Sequence, residues 1–144
     1  MTQQEFLDLI NKHNATLAPA PDTDKIGIIN MNLQQIHAAL VPPFLQNLYR
    51  VCGGIIMGRG YILGPTEVQS GIQHPVPSIF QINQELTNIP KMRGKTLFGR
   101  NDLFWFIFDA FGKCTMLDNV GLKTLRQYDD PYHAMLDCLV GGKL

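Results

Sequence analysis

Three aspartates, Asp102, Asp109 and Asp118, bracket an aromatic segment and are the carboxylates best placed by sequence to act as a general acid and base. All three also sit at predicted strand ends, where aspartate more often closes a turn by accepting backbone N–H bonds. Cys114, between them, could serve as a nucleophile if a base held it, but its apolar neighbourhood predicts burial and an inert thiol. Gly94-Lys95-Thr96 matches the tail of a phosphate loop. Ile89 stands where that loop needs its first glycine, and a strand pattern follows instead of a helix whose first amides could face a phosphate. Gly58, Gly60 and Gly64 approach a dinucleotide fingerprint, but Leu63 holds the place of the third glycine and no helix pattern follows. The four histidines, His13, His37, His74 and His133, are scattered and none is paired at a metal-binding interval. No metal and no cofactor is expected.

One local charge bias remains. Lys91, Arg93, Lys95 and Arg100 place four positive charges in ten residues with no acid between them. A solvated loop is the simplest reading, contact with an acidic protein comes second, and contact with nucleic acid third, because the adjoining aromatic residues belong to a predicted core strand and not to a stacking platform.

The elements that must position these residues follow from periodicity. Thr2 and Glu5 form a capping box, and Phe6, Leu9, Ile10 and His13 fall on one side of a helix over residues 3 to 14. Residues 15 to 31, with Pro19, Pro21 and a short apolar patch at Ile26, Ile28 and Ile29, read as a loop with room for one edge strand. From Asn32 a helical stripe runs through Leu33, Ile36 and Leu40, bends at Pro42-Pro43, and continues through Phe44, Leu45, Leu48 and Cys52 until Gly53-Gly54. Residues 55 to 69 read as a hairpin and a following strand, and residues 78 to 87 as a helix with a stripe of Ile79, Ile82 and Leu86. Residues 96 to 108, with Phe104, Trp105, Phe106 and Phe108, read as a strand apolar on both faces and covered on both sides in mid-sheet. A turn at Asp109 to Lys113, a strand over Cys114 to Leu117 and a third over Leu122 to Tyr128 complete an antiparallel meander. Asp130 as N-cap and Pro131 at the first helical position start a last helix that ends at Gly141-Gly142.

Composition agrees with one domain spanning residues 1–144. Twelve basic and twelve acidic residues give zero net charge, which removes the long-range field of a general nucleic-acid or anionic-membrane binder. The charged share of 17% lies below the roughly 25% of average domains, and a chain of this size buries about 68–70% of its surface, enough for a core without metals or disulfides. Cys52, Cys114 and Cys138, odd in number and apolar in setting, read as reduced, buried thiols in a cytoplasmic protein, where the Asn14-Ala15-Thr16 sequon is not used. No export signal or membrane span is visible.

Residues 41 to 54, VPPFLQNLYRVCGG, resemble the proline, helix, double-glycine signature of the SUKH superfamily, the Smi/Knr-type domains, and Tyr61-Ile62-Leu63-Gly64 looks like the strand that follows it. Leu103 to Asp118, LFWFIFDAFGKCTMLD, is similar to that family's central hairpin, and DPYHAMLDCLVGG to its terminal helix, so the resemblance covers about residues 33 to 140. It implies an α+β fold, a single mixed or antiparallel sheet with a central aromatic hairpin flanked by N-terminal and C-terminal helices, and no enzymatic activity. Many bacterial members are implied to be immunity proteins that bind a cognate toxin, often a nuclease or deaminase; this chain is expected to be a monomer or weak homodimer. Candidate contacts are exposed groups on loops beside the sheet: Arg59, Tyr61, Arg100, Asn101 and Asp102. Interface energy concentrates on Tyr, Trp and Arg, which ranks Arg59, Tyr61 and Arg100 first. A regulatory adaptor on the same fold and an enzyme with a site assembled from dispersed residues are the alternatives.

Overall fold

A computed structural model describes residues 1–69 and 75–141. His74 and Gly142 lie outside the described residues. The described chain is α+β, with an antiparallel sheet of seven strands and its helices gathered largely on one face. Helix α1 (Gln3–Lys12) starts at the expected capping box: Thr2 accepts from the Glu5 amide, and Glu5 accepts from the Thr2 amide. Its buried residues are Phe6, Leu7 and Ile10.

Residues 15 to 31 depart from the expected loop. The edge strand is β1 (Thr16–Leu17), and the isoleucine patch lies in helix α2 (Asp24–Gln35). Ile29 and Leu33 are buried one turn apart and Ile26 packs partly against the core, so the patch follows the 3.6-residue period and not the period of two. Thr23 makes no side-chain capping bond, so the usual start signal is missing. Helix α2 also ends earlier than its stripe suggests, with His37 in the left-handed region at φ 59°. An extended connector, held by the Val41 amide donating to Asn30 Oδ1 at 2.9 Å, leads into α3 (Pro43–Tyr49).

Strands β2 (Ile55–Met57) and β3 (Gly60–Ile62) form the expected hairpin. The following strand β4 (Val68–Gln69) leaves the main sheet and pairs with β5 (Pro75–Val76). Ser78 and Gln81 form a second capping box at the start of α4 (Ile79–Glu85). After a 3-10 turn (Pro90–Met92), the apolar segment 96 to 108 divides into β6 (Thr96–Arg100) and β7 (Phe104–Phe108), with a turn at Asn101–Leu103 between them. Strands β8 (Cys114–Asp118) and β9 (Thr124–Tyr128) complete the meander, and the sheet order is β1-β2-β3-β6-β7-β8-β9. Helix α5 (Pro131–Val140) has the expected Asp130 cap, accepting from the Tyr132 amide, and stops at Gly141 with φ 62°.

Buried side chains fix which face is which. A β-bulge between Leu97 and Gly99 breaks the alternation of β6, so Phe98 and Gly99 both turn toward the helices. Phe98 packs edge-on against Phe44 of α3 and at a tilt against Phe108 of β7, while Phe6 of α1 meets Tyr132 of α5. Polar locks join the layers. Asn83 of α4 donates to the carbonyls of Ile79 and Leu97 and accepts from the Leu97 amide, the buried Thr96 hydroxyl donates to Ala39 O, and the Tyr49 hydroxyl donates to Leu63 O. Each satisfies a group that would cost about 1–3 kcal/mol if left buried without a partner.

Glycine sets the helix-to-sheet distance. A methyl group at Gly60 would come within 2.5 Å of the Cys138 carbonyl oxygen and 2.8 Å of Leu139 Cα, both backbone atoms of α5. Gly60→Ala is therefore expected to cost about 1–3 kcal/mol or more by overpacking. Gly27→Ala, on the exposed side of α2 with nothing within 4 Å, is expected to stabilise by about 0.5–1 kcal/mol through helix propensity. Urea denaturation of the two variants should show these opposite signs; equal shifts would contradict the close approach of α5.

Candidate functional site

Because α1, α3 and α5 occupy one face, any recognition surface on the sheet must use the other. The glycines identify it. Gly99, where a methyl would meet Cys138 Sγ and Ile62 Cδ1 at 3.0 Å, faces α5, as does Gly60. Their neighbours Arg100 and Tyr61 therefore point away from α5. Tyr61 is paired directly with Arg100, and Arg100 with Trp105, so the three lie in one row across β3, β6 and β7. Ile56 continues the row on β2 and Leu117 on β8. With strands about 4.8 Å apart, Tyr61 and Trp105 flank Arg100 at about 10 Å from each other.

Burial divides this face in two. Leu97, Ile107 and Leu117 are buried, and the 3-10 turn carries the buried Met92, while the Lys91 ammonium reaches the Gly121 carbonyl at 2.8 Å. Ile56, Tyr61, Arg100 and Trp105 remain only half-buried. Trp105 thus departs from the expected core strand: Phe106, Ile107 and Phe108 are internal, but the tryptophan is half-buried, between Arg100 and the buried Leu117 of the row. The reason is positional, since Trp105 lies on the face turned away from α5, close to the Asn101–Leu103 turn and outside the buried patch of Leu97 and Ile107.

That end is built from three turns tied together. Arg59, in the β2–β3 turn, donates from Nη1 to Asp102 Oδ2 at 2.9 Å, and both side chains are exposed, at 83% and 58%. The carboxylate hydrogen bond raises the Arg59 pKa further. Asn119 Nδ2 donates to Asp102 O at 2.7 Å, and the Asn119 amide donates to Leu103 O. Asn101 lies beneath: Oδ1 accepts from the amides of Leu103 and Phe104, and Nδ2 donates to Cys138 O on α5. Of the five sequence candidates, Arg59, Tyr61, Arg100 and Asp102 thus gather at one corner, while Asn101 directs its side chain into the fold. Two apolar residues join them unannounced, Leu103 at 64% exposure and Val120 at 93%. Leu103 is hard to find by sequence because it opens an apolar run whose other members are strand residues.

The groups that could have done chemistry are dispersed. Asp109 closes the β7–β8 turn by accepting from the amides of Phe111 and Lys113. Asp118 accepts from the amides of residues 120 to 123, and the Gly121 and Lys123 bonds lead in lowering its pKa. Asp102 and Asp118 share one end of the sheet and Asp109 lies at the other. Burial, followed by the charges of Asp109 and Asp130, pushes the Cys114 thiol up to about 12, the protonation state opposite to that of a nucleophile. The depression beside it, about 270 Å³, is lined by Lys113, Tyr128 and Asp129 without a histidine. Among the described residues no group of three or more His, Cys, Asp or Glu side chains is arranged to hold a metal ion, and no helix is long and apolar enough to cross a membrane. No family model, curated protein or solved structure matches the chain.

Trp105 is the sole tryptophan, so iodide should quench the emission of the folded protein, an outcome a core tryptophan would not give. The three thiols are free and buried, and burial leads in raising all three pKa values. A thiol reagent at pH 8 should therefore label them no faster than the protein unfolds. A folded-state pKa above the unfolded value of 9.0 contributes stability that is complete below that value and is lost as pH rises toward about 12. Urea midpoints should accordingly fall on the alkaline side of pH 9 and fall less in Cys114→Ala; a flat profile would contradict the burial of the thiol.

Proposed function

We propose that the chain is a non-enzymatic protein-binding module and, within that class, a cytoplasmic immunity protein of the SUKH type that neutralises a cognate bacterial toxin. The observation that carries the reading is the row Tyr61, Arg100 and Trp105 on the open part of the sheet, bordered by the exposed Arg59–Asp102 pair. Tyr, Trp and Arg are the residue types on which interface energy concentrates. Here they stand on paired strands, so little side-chain and backbone freedom is lost when a partner docks.

Several features support the reading. An inhibitor that works by occlusion needs a stable scaffold and a rigid surface and no catalytic constellation. Arg100 has no carboxylate partner among the described residues, which leaves its guanidinium free for an acidic group on a partner. Leu103 and Val120 supply apolar area next to it. Three reduced thiols suit a reducing compartment, and the zero net charge suits a protein partner better than nucleic acid or membrane. The SUKH resemblance supplies the toxin-neutralising role, with a nuclease or deaminase as the expected class of target.

The test is a pull-down with the product of the adjacent gene, paired with rescue of growth when that product is expressed. Arg59→Glu and Arg100→Glu are each expected to weaken the complex by about tenfold or more, Arg100→Glu with the melting temperature unchanged and Arg59→Glu with only the small fall that loss of the exposed Asp102 pair brings, and Trp105 emission should shift on binding. A neighbour that is neither toxic nor bound would end the immunity reading. Loss of folding in step with loss of binding would make the arginines structural instead.

A further inference from the structure

A second surface lies apart from that row, where the connector between α2 and α3 meets the segment between α4 and β6. The two enclose a depression of about 390 Å³. Ile36, Leu86 and Met92 supply its apolar lining, and His37, Arg93 and Lys95 are the titratable groups that line it, with no carboxylate among them. Met92 is buried, whereas His37, Arg93 and Lys95 are exposed.

Charge along the chain is segregated in a way that the net value of zero conceals. No acidic residue occurs between Asp24 and Glu67, nor between Glu85 and Asp102, and these are the stretches that supply every cationic group of the depression. Asp109, Asp118, Asp129, Asp130 and Asp137 gather in the last third of the chain. Neither Arg93 nor Lys95 forms an ion pair among the described residues, although Arg59, Arg126 and the N-terminus do. Two turns bring the cations together. His37 and Gly94 adopt left-handed backbone at φ 59° and 74°, and the Lys95 amide donates to Met92 O at 3.0 Å, closing the bend that carries Arg93. Like charges held close without a neutralising acid repel one another, and an anion in their midst removes that penalty.

We propose that this depression binds a phosphate monoester with a compact apolar body. A monoester carries about −1.5 to −2 charges at neutral pH, which matches the two fixed cations Arg93 and Lys95. The Arg93 guanidinium offers a planar fork suited to two phosphate oxygens, Lys95 a point charge, and His37 a further hydrogen bond. Ile36, Leu86 and Met92 receive the apolar body, and the volume falls within the roughly 300–1,000 Å³ range of small-molecule sites. This site owes nothing to the phosphate-loop pattern at Gly94-Lys95-Thr96, since β6 and not a helix follows it.

The experiment titrates the whole protein with phenyl phosphate, inorganic phosphate and benzyl alcohol, followed by calorimetry and by amide chemical shifts. Phenyl phosphate should bind saturably and about tenfold or more tighter than inorganic phosphate, benzyl alcohol should bind weakly, and added salt should weaken the phenyl phosphate complex. The double variant Arg93→Glu/Lys95→Glu should lose that binding by at least about tenfold at an unchanged melting temperature. If it fails to fold, Arg93→Gln/Lys95→Gln serves in its place. Absence of saturable phenyl phosphate binding, equal affinity for inorganic phosphate, shifts confined to other residues, or binding indifferent to the double variant would each overturn the proposal.

Discussion

Helix α5 lies so close to β3 and β6 that no side chain fits between them. At Gly60 and Gly99 the helix backbone and the Cys138 side chain occupy the space a Cβ would need. The Cys138 thiol donates to Tyr61 O at 3.4 Å, and Asn101 Nδ2 donates to Cys138 O. This contact decides the sidedness of the molecule. The residues that follow the two glycines point the other way, which is how Tyr61 and Arg100 come to share an outward row with Trp105.

The opposite face is then divided between structure and surface. Leu97 and Ile107 are buried there, and Lys91 ties the segment before β6 to the β8–β9 turn. The remaining corner, with three turns joined by Arg59–Asp102 and Asn119, is rigid for a loop region because its carbonyls and carboxylates are occupied within the fold. A surface held in this way has little conformational freedom left to lose. The basic depression beside α4 has another origin: it arises from two acid-free stretches of chain folded against each other.

Much of the architecture was legible where local chemistry is strong. Thr2 with Glu5, Asp130 with Pro131, and Gly141 each mark a helix end by satisfying or releasing backbone groups, and all three mark it in the structure. The meander from Phe104 to Tyr128 was equally legible, because the turn aspartates Asp109 and Asp118 accept local amides wherever the strands lie. Helix α2 was not legible. Without a capping bond at Thr23, an isoleucine patch following two prolines reads as readily with a period of two as with 3.6.

For the candidate surface the division follows the reach of the forces involved. Residue type alone singled out Arg59, Tyr61, Arg100 and Asp102, since exposed arginines and tyrosines beside turns are contacts of high value wherever they occur. Trp105 and its row could not be read that way. Whether an aromatic strand residue is core or surface depends on which sheet face the helices cover and where a bulge shifts the alternation, and both are set by packing between segments distant in the chain. The sequence by itself determined the turns, caps and residue chemistry, which act over a few neighbouring positions. Only the tertiary structure decided which side faces solvent and which charges meet, because burial and the pairing of remote strands are properties of the whole chain.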